Sequence, residues 1–431
     1  MIKLLLGGSP CTFWSIAQTK NRETEPSGLG WELFENYLIA KEKFKPDFFL
    51  YENNKSAAQA IKDEIKKRLN VWDGTLFTPD SGARYIEINS ALVSAQNRKR
   101  FYVHNCENVE QPADRGIILR DILETGTDLS QNEKSYCLTA RYNGACAWNT
   151  LERKQRSMVA EPIRIGDIGS TAQAHRVYSC DGKSVTITAA GGGQGGKTGL
   201  YACPVNVTKD GKAQTIKAQY GKTSIVNICC YQSTYGASGI ACKTNEKPSQ
   251  VLDNGKDKDA MRRIYEVKNG KINVKGKEYP IKLEDGNYII RKLTVTECCR
   301  LQTLPDDYCR AVSKTQAYKG LGNGWTAEVI IHILNGALKN IPRDEKIVVL
   351  SMYDGIGTGR YCLDKMGFTN VEYHAFEIDK YAMQIAKSNY PDIIEHGDAY
   401  QVRDGLNFIY GVQTLYRYPI RNEFHPIGDT L

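Results

Sequence analysis

No Cys-x-x-Cys pair occurs anywhere in the chain, so its thirteen cysteines offer neither a zinc ribbon nor a thioredoxin-type motif. Their odd number and scatter argue against a secreted disulfide scaffold, and free thiols in a reducing compartment are expected. Long apolar runs are also missing. No stretch reaches the ~18 apolar residues of a membrane helix. The opening run Met1-Ile-Lys-Leu-Leu-Leu6 stops at Gly7, short of the ~7–15 residues of a signal-peptide core. A lipoprotein reading of Cys11 fails because Pro10 stands where a small cleavage-site residue belongs. These absences exclude membrane, secreted and zinc-ribbon classes, leaving a cytoplasmic protein with no membrane or metal partner as the expectation. Charge of one sign is not extreme either. The formal net charge is +8, and residues 103–290 hold 26 Lys+Arg against 20 Asp+Glu. A polyanionic partner is compatible with that modest excess.

What is present has three textures. At 431 residues the chain is too long for one compact core, so two or three domains are expected. Residues 1–103 alternate short apolar runs with helical spacing, the pattern of an α/β fold. Ile2–Leu6 and Asp47–Tyr51 read as strands, and Trp31–Lys43 as a helix. Residues 104–286 are rich in glycine, threonine, lysine and tyrosine, with frequent turn signals that predict short strands. Three similar heptads there, beginning at Lys134, Lys183 and Lys212, are read as repeated strand-and-turn units. From Arg291 the α/β pattern returns. Thr294–Leu301 and Ala327–Leu338 read as helices, the first opened by a Thr294/Glu297 capping box. After a polar link at 341–346, Ile347–Met352 and Val371–Phe376 read as strands, and Arg360–Met366 and Tyr381–Asn389 as helices. The tail after Leu406 shows no period.

The strongest local signal is the run Val348-Val-Leu-Ser-Met-Tyr353-Asp354-Gly355-Ile356-Gly357-Thr358-Gly359, with Glu377 following Gly355 by 22 residues. Glycines let a backbone approach a ligand closely, and an acid ending the next strand can bind both ribose hydroxyls. The Gly-x-Gly-x-Gly spacing lacks the third phosphate-cradling glycine of dinucleotide folds, which favours S-adenosyl-L-methionine over NAD. Asp398 is a candidate acceptor for an adenine amine. A second signal is Gly7-Gly-Ser-Pro10-Cys11, a cysteine on a stiff loop at a strand's carboxyl end, where open α/β sheets place their active sites. Glu52-Asn53-Asn54 and Gln96-Asn-Arg98-Lys-Arg100 each follow or open a strand, and singly each reads as a solvated loop or basic face.

In this order the blocks resemble the cytosine-C5 DNA methyltransferase family, which is marked by a Pro-Cys loop, a Glu-Asn-Val triplet and a Gln-x-Arg-x-Arg strand. A variable recognition region follows, then Arg-x-Leu-Thr and Gly-Asn blocks, seen here as Arg291-Lys-Leu-Thr294 and Gly322-Asn323-Gly-Trp325. The match covers roughly 240 residues. The cofactor glycines, first in the usual order, come last, so the resemblance implies a circular permutation with 341–346 as its linker. Other departures are Thr12, Asn54 and Asp354, where many relatives have glutamine, valine and alanine. The form Asp-Gly-Ile-x-Thr-Gly is similar to the animal de novo branch.

The resemblance implies an α/β, Rossmann-like S-adenosylmethionine-dependent fold, doubly wound and mostly parallel, plus a smaller β-rich target-recognition domain. Its expected boundaries are 1–103 and 287–340 for two catalytic parts, 104–286 for recognition, and 347–431 for the cofactor part and tail. Cys11 would be the nucleophile adding to C6 of a flipped cytosine, and Glu52 would hold the N3 and amine edge. Arg98 would contact O2, and Arg100 would orient the site or bind phosphate. Tyr353 would pack on the adenine or methionine side, and Asp354, Gly355, Ile356, Gly357 and Thr358 would wrap the methionine moiety. Glu377 would take the ribose, Ile378 and Asp398 the adenine, and Asn323, Trp325 and Pro10 would border the same ligand. S-adenosyl-L-homocysteine would be the product, double-stranded DNA the partner, and a monomer the expected state on DNA. A tRNA cytosine methyltransferase and a non-catalytic DNA-binding relative are the competing readings. The long middle region favours duplex DNA over tRNA, and retention of both Cys11 and Glu52 disfavours the non-catalytic one.

Overall fold

The computed structural model describes residues 1–15, 22–72, 74, 80–124, 126–130, 132–162, 164–167, 176–179, 200–202, 264–283 and 286–406. Its centre is a seven-stranded sheet made from both ends of the described chain. From the N-terminal side come β1 (Ile2–Gly7), β2 (Phe48–Asn54), β3 (Arg84–Asn89) and β4 (Lys99–His104). A second sheet uses β5 (Thr127–Asp128), β6 (Met158–Pro162), and β10 to β13 (Ile264–Lys268, Lys271–Val274, Lys277–Pro280, Gly286–Lys292). Between these, β7 (Arg164–Asp167), β8 (Arg176–Ser179) and β9 (Leu200–Ala202) form a three-stranded sheet. The last strands, β14 (Ile347–Met352), β15 (Val371–Phe376) and β16 (Ile394–Glu395), return to the first sheet.

The order of the main sheet is β16-β15-β14-β1-β2-β4-β3. From β16 through β2 every pairing is parallel; β4 is antiparallel to both neighbours. Parallel strands are covered on both faces, which explains why Ile347–Met352 is apolar almost throughout and wholly buried. Alternation splits the core. Leu4 and Leu6 face one apolar layer, while Leu5 faces the other.

On the Leu5 side lie α1 (Gly28–Phe44) and α2 (Gln59–Arg68), through Trp31, Phe34, Tyr37, Ile61 and Ile65. After two short helices, α3 (Leu119–Ile122) and α4 (Ala147–Leu151), the opposite face is covered by α5 (Val295–Leu301), α6 (Lys314–Asn323), α7 (Ala327–Leu338), α8 (Thr358–Lys365) and α9 (Lys380–Asn389). This is a doubly wound, Rossmann-like arrangement. The capping box at α5 is present, with Thr294 accepting from the Glu297 amide at 3.1 Å and Glu297 accepting from the Thr294 amide at 2.8 Å.

The six-stranded sheet runs β12-β11-β10-β13-β6-β5, antiparallel throughout, with Val267, Ile272, Tyr279 and Tyr288 in a core of its own. The short-strand expectation for the middle region holds where it is described. The heptad repeat does not hold at its first copy. Lys134–Ala140 makes only an isolated bridge, Ser135 with Gln96, because buried side chains draw it away from any sheet. Gln96 accepts from the Leu138 amide at 2.7 Å, and Arg98 donates to the Leu138 carbonyl at 3.0 Å. The copies at Lys183 and Lys212 and the tail past Leu406 lie outside the described residues.

Candidate active site

Two loops that are distant in sequence leave the sheet side by side. In the β1–β14 pair, Gly7 is opposite Met352, so the Pro10–Cys11 loop and the glycine turn after Tyr353 both start at the same carboxyl edge. β2 passes the same edge, with Tyr51 opposite Gly7, and runs on to Asn54. Glu52–Asn54, expected after the strand, are its last residues, paired to β4, and Glu52 lies beside the Gly8 loop. Cys11 opens a one-turn 3-10 segment, Cys11–Phe13, and Pro10 before it is exposed. Asn53 ties the loop down, donating from Nδ2 to the Ser9 carbonyl at 2.9 Å. Ser9 and Tyr51 share a buried hydroxyl contact at 2.8 Å. Gly8 is required by proximity: a Cβ there would lie 2.7 Å from the Glu52 carbonyl oxygen and 3.0 Å from Glu52 Oε2.

Glu52 is held at both oxygens. Arg100 Nε lies 3.0 Å from Oε1, and both side chains are about nine-tenths buried, at 9% and 12% exposure. Trp325 Nε1 donates to Oε2 at 3.1 Å. Arg98 points elsewhere. Its guanidinium donates to the carbonyls of Leu138 (3.0 Å), Gly322 (3.3 Å) and Gly324 (2.7 Å), binding the entry to the middle region to the end of α6. Its Nη1 also lies 3.6 Å from Cys137 Sγ. Burial raises the Cys137 thiol, but the Arg98 and Arg100 charges outweigh that and leave it below its ordinary value.

A buried amide network beside this cage was not anticipated. Gln302 donates to the Leu321 carbonyl at 2.6 Å and accepts from Thr326 Oγ1 at 2.9 Å, and Ser90 donates to Thr326 at 2.9 Å. Gln96 reaches the Leu301 carbonyl at 3.1 Å. Gln96 lies in a block already quoted, whereas Gln302 follows directly on α5 and nothing local in the sequence signals its role.

The glycine turn builds the other half of the cleft. Tyr353, Gly355 and Gly357 have φ of 62°, 66° and 77°, and the Tyr353 hydroxyl bonds the Leu33 carbonyl at 2.7 Å. Such a backbone favours glycine, which explains the spacing. Glu377 accepts from the amides of Gly355 (2.8 Å), Ile378 (2.9 Å) and Asp379 (2.8 Å), so its carboxylate is locked at the turn. Beside it Ile378 is 73% exposed. Asp354 Oδ1 accepts from Ser351 and Tyr373 hydroxyls, each at 2.6 Å, while its Oδ2 is buried without a partner. Burial pushes the Asp354 carboxyl up to about 6, and the Glu377 charge adds to the rise. Thr358 Oγ1 and both oxygens of Glu395 are likewise buried and unpartnered, and burial with the neighbouring acids lifts Glu395 to about 7. Asp398 caps the 3-10 segment Ala399–Arg403, accepting from the Tyr400 amide at 3.0 Å. Asn323 is the exposed last residue of α6.

These features fit a cationic ligand with an apolar ring. Orphaned carboxyl oxygens suit a sulfonium or ammonium group, a locked carboxylate suits a diol, and an exposed aliphatic side chain suits a purine face. Among the described residues no group of His, Cys, Asp and Glu could hold a metal, and no helix is long and apolar enough to cross a membrane.

A doubly wound sheet with a cysteine loop and a glycine turn at one edge fits a class of nucleoside-cofactor transferases, and residues 1–339 match the family described as C-5 cytosine-specific DNA methylase, to which the chain belongs. It is thus an S-adenosylmethionine-dependent transferase acting on cytosine C5 in DNA. The chain is similar to the orphan methyltransferase M.SPRI of Bacillus phage SPR, at 24% identity over 391 residues, covering 76% of this chain and 80% of that protein. It is also similar to the type II methyltransferase M.HhaI of Haemophilus parahaemolyticus, at 27% identity over 207 residues, covering 46% of this chain and 59% of that protein.

Proposed function

We propose that this chain is a circularly permuted cytosine-C5 methyltransferase for duplex DNA, with Cys11 as nucleophile and Glu52 as the group that holds and protonates the target base. The observation carrying the reading is the parallel β1–β14 pair, which sets the Pro10–Cys11 loop beside the glycine turn. The permutation is supported by the family match, which ends at residue 339, just before the link to β14, while the glycine turn and Glu377 come later. Residues 1–103, 287–340 and 347–431 form the catalytic domain in this reading, with 341–346 as linker. Residues 104–286 serve target recognition in this reading; five strands of the six-stranded sheet fall there, and β13 (Gly286–Lys292) joins that sheet to the following catalytic part.

The target base must leave the duplex, at a cost of a few kcal/mol. The Cys11 thiolate then forms a bond to C6, and the displaced electron pair moves through the ring to N3, which takes the proton from Glu52. C5 becomes an enamine carbon able to attack. S-adenosylmethionine, when bound, supplies the electrophilic methyl group. Loss of the C5 proton to water expels Cys11 as the thiolate, and N3 returns its proton to the Glu52 carboxylate, which restores the aromatic ring and the starting state of the site. Arg100, paired to Glu52, is the arginine at the base in this reading; Arg98, donating to three carbonyls, holds the loops that frame it. Asp354 to Thr358 with Tyr353 would hold the methionine end, Glu377 the ribose, and Ile378 and Asp398 the adenine, with Asn323 and Pro10 at the margin.

The test is methyl transfer from labelled S-adenosylmethionine to duplex DNA and to tRNA, by wild type and by Cys11→Ser. Duplex labelling by wild type alone, with Cys11→Ser down by about a thousandfold or more, is expected. Preferential labelling of tRNA, or undiminished activity of Cys11→Ser, would overturn the reading.

A further inference from the structure

We infer that Trp325 is a positioning residue for the base-side chemistry, fixing the Glu52 carboxylate rather than bordering the cofactor. The inference rests on the proposed role of Glu52. Its indole Nε1 donates to Glu52 Oε2 at 3.1 Å while Arg100 Nε holds Oε1 at 3.0 Å, so the carboxylate plane is set at two points. One donor alone would leave the group free to pivot.

The indole is itself placed by its neighbours. Before it, the Gly324 carbonyl accepts from Arg98 at 2.7 Å and Gln302 at 3.3 Å, and the Gly324 amide bonds the Gly320 carbonyl at 2.8 Å. After it, Thr326 is buried and bonded to Gln302 and Ser90. The ring packs on the core layer that contains Leu321 and Ile330. Arg98, Gln302 and Ser90 therefore deliver one N–H to one oxygen across a separation of 273 residues.

The chemistry explains the choice of side chain. An indole N–H donates and never accepts. It therefore cannot take the proton that Glu52 must pass to N3, and it directs that proton to a lone pair turned away from the ring. As the O–H bond of Glu52 breaks, N3–H forms, and the carboxylate left behind gains a ready donor. A neutral donor adds no charge to compete with Arg100.

Trp325→Phe keeps the ring and removes the N–H. The expected result is a fall in kcat of about tenfold or more. KM for S-adenosylmethionine should stay within about twofold. Trp325→His, a ring retaining an N–H, should recover part of the loss, and it carries the same comparison should the Phe chain melt early. An unchanged kcat overturns the inference, whether or not KM for the cofactor rises. Glu52→Gln separates the two levels. If it turns over like wild type, the reading of Glu52 fails and this inference with it; if it is inactive while Trp325→Phe matches wild type, only the inference fails.

Discussion

Asp354 stands where many relatives have alanine, and its surroundings give that difference a measurable consequence. Below about pH 4 the residue is protonated whether the chain is folded or not, and it changes nothing. Between about pH 4 and about pH 6 the unfolded chain has lost the proton while the folded one retains it, so its contribution to stability falls as pH rises. Above that window the penalty is complete, up to about 3 kcal/mol for a shift of this size. Asp354→Asn removes it. Melting curves over that range should show the mutant gaining on wild type as pH rises and holding a constant lead afterwards; parallel curves would refute the account. Arg98 makes a second case. Arg98→Lys keeps the charge but has one point donor where a fork served several carbonyls, and a loss of about 2–4 kcal/mol in urea unfolding is expected. A loss below half a kilocalorie would show that the cage matters little.

Elements were the most legible scale. The extents of β14, β15 and α7 follow from apolar period and length alone, and the α5 capping box from two residue types at fixed spacing. Local physics decides such features, so they can be read locally. The heptad at Lys134 misled for the opposite reason: a strand-like composition was overridden by hydrogen bonds from Gln96 and Arg98, some forty residues upstream. Close element packing yields its own test at Gly322. A Cβ there would lie 2.2 Å from the Ala140 amide nitrogen and 2.4 Å from the Thr139 carbonyl oxygen. Gly322→Ala must therefore push the 139–140 segment off α6, and a loss of about 3 kcal/mol or more with a sharply reduced methylation rate is expected. A variant as stable and active as wild type would show that the two segments can part freely.

For the whole molecule, the described chain brings its last three strands to one side of a sheet begun by its first, with β14 pairing β1 at the centre. The Ile2 amide bonds the Lys346 carbonyl at 2.8 Å, and the Met1 ammonium pairs with Glu345, so the chain start and the 341–346 link sit together. The link is short and its residues lie partly or wholly at the surface. Cutting it should therefore cost connectivity but not contacts. Fragments 1–343 and 344–431, produced together, should associate through β1–β14 and keep methyl transfer within about tenfold of the intact chain. Fragments that purify apart, neither active on mixing, would mean that the covalent link carries more than geometry.

Residue types and spacing by themselves determined strands β1, β14 and β15, the glycine turn and the cysteine loop, because each depends on backbone preferences acting over a few neighbours, and the order of the blocks pointed to the family. Only the tertiary structure decided which arginine faces Glu52. Arg98 and Arg100 are chemically alike, and what separates them is the carbonyl cage around the first and the carboxylate beside the second. The contact of Trp325 with Glu52 and the unpartnered acids under the turn belong to the same category. The first arises where segments 273 residues apart close on one another, the second where successive strands bring acids under one turn, and no local pattern encodes either meeting.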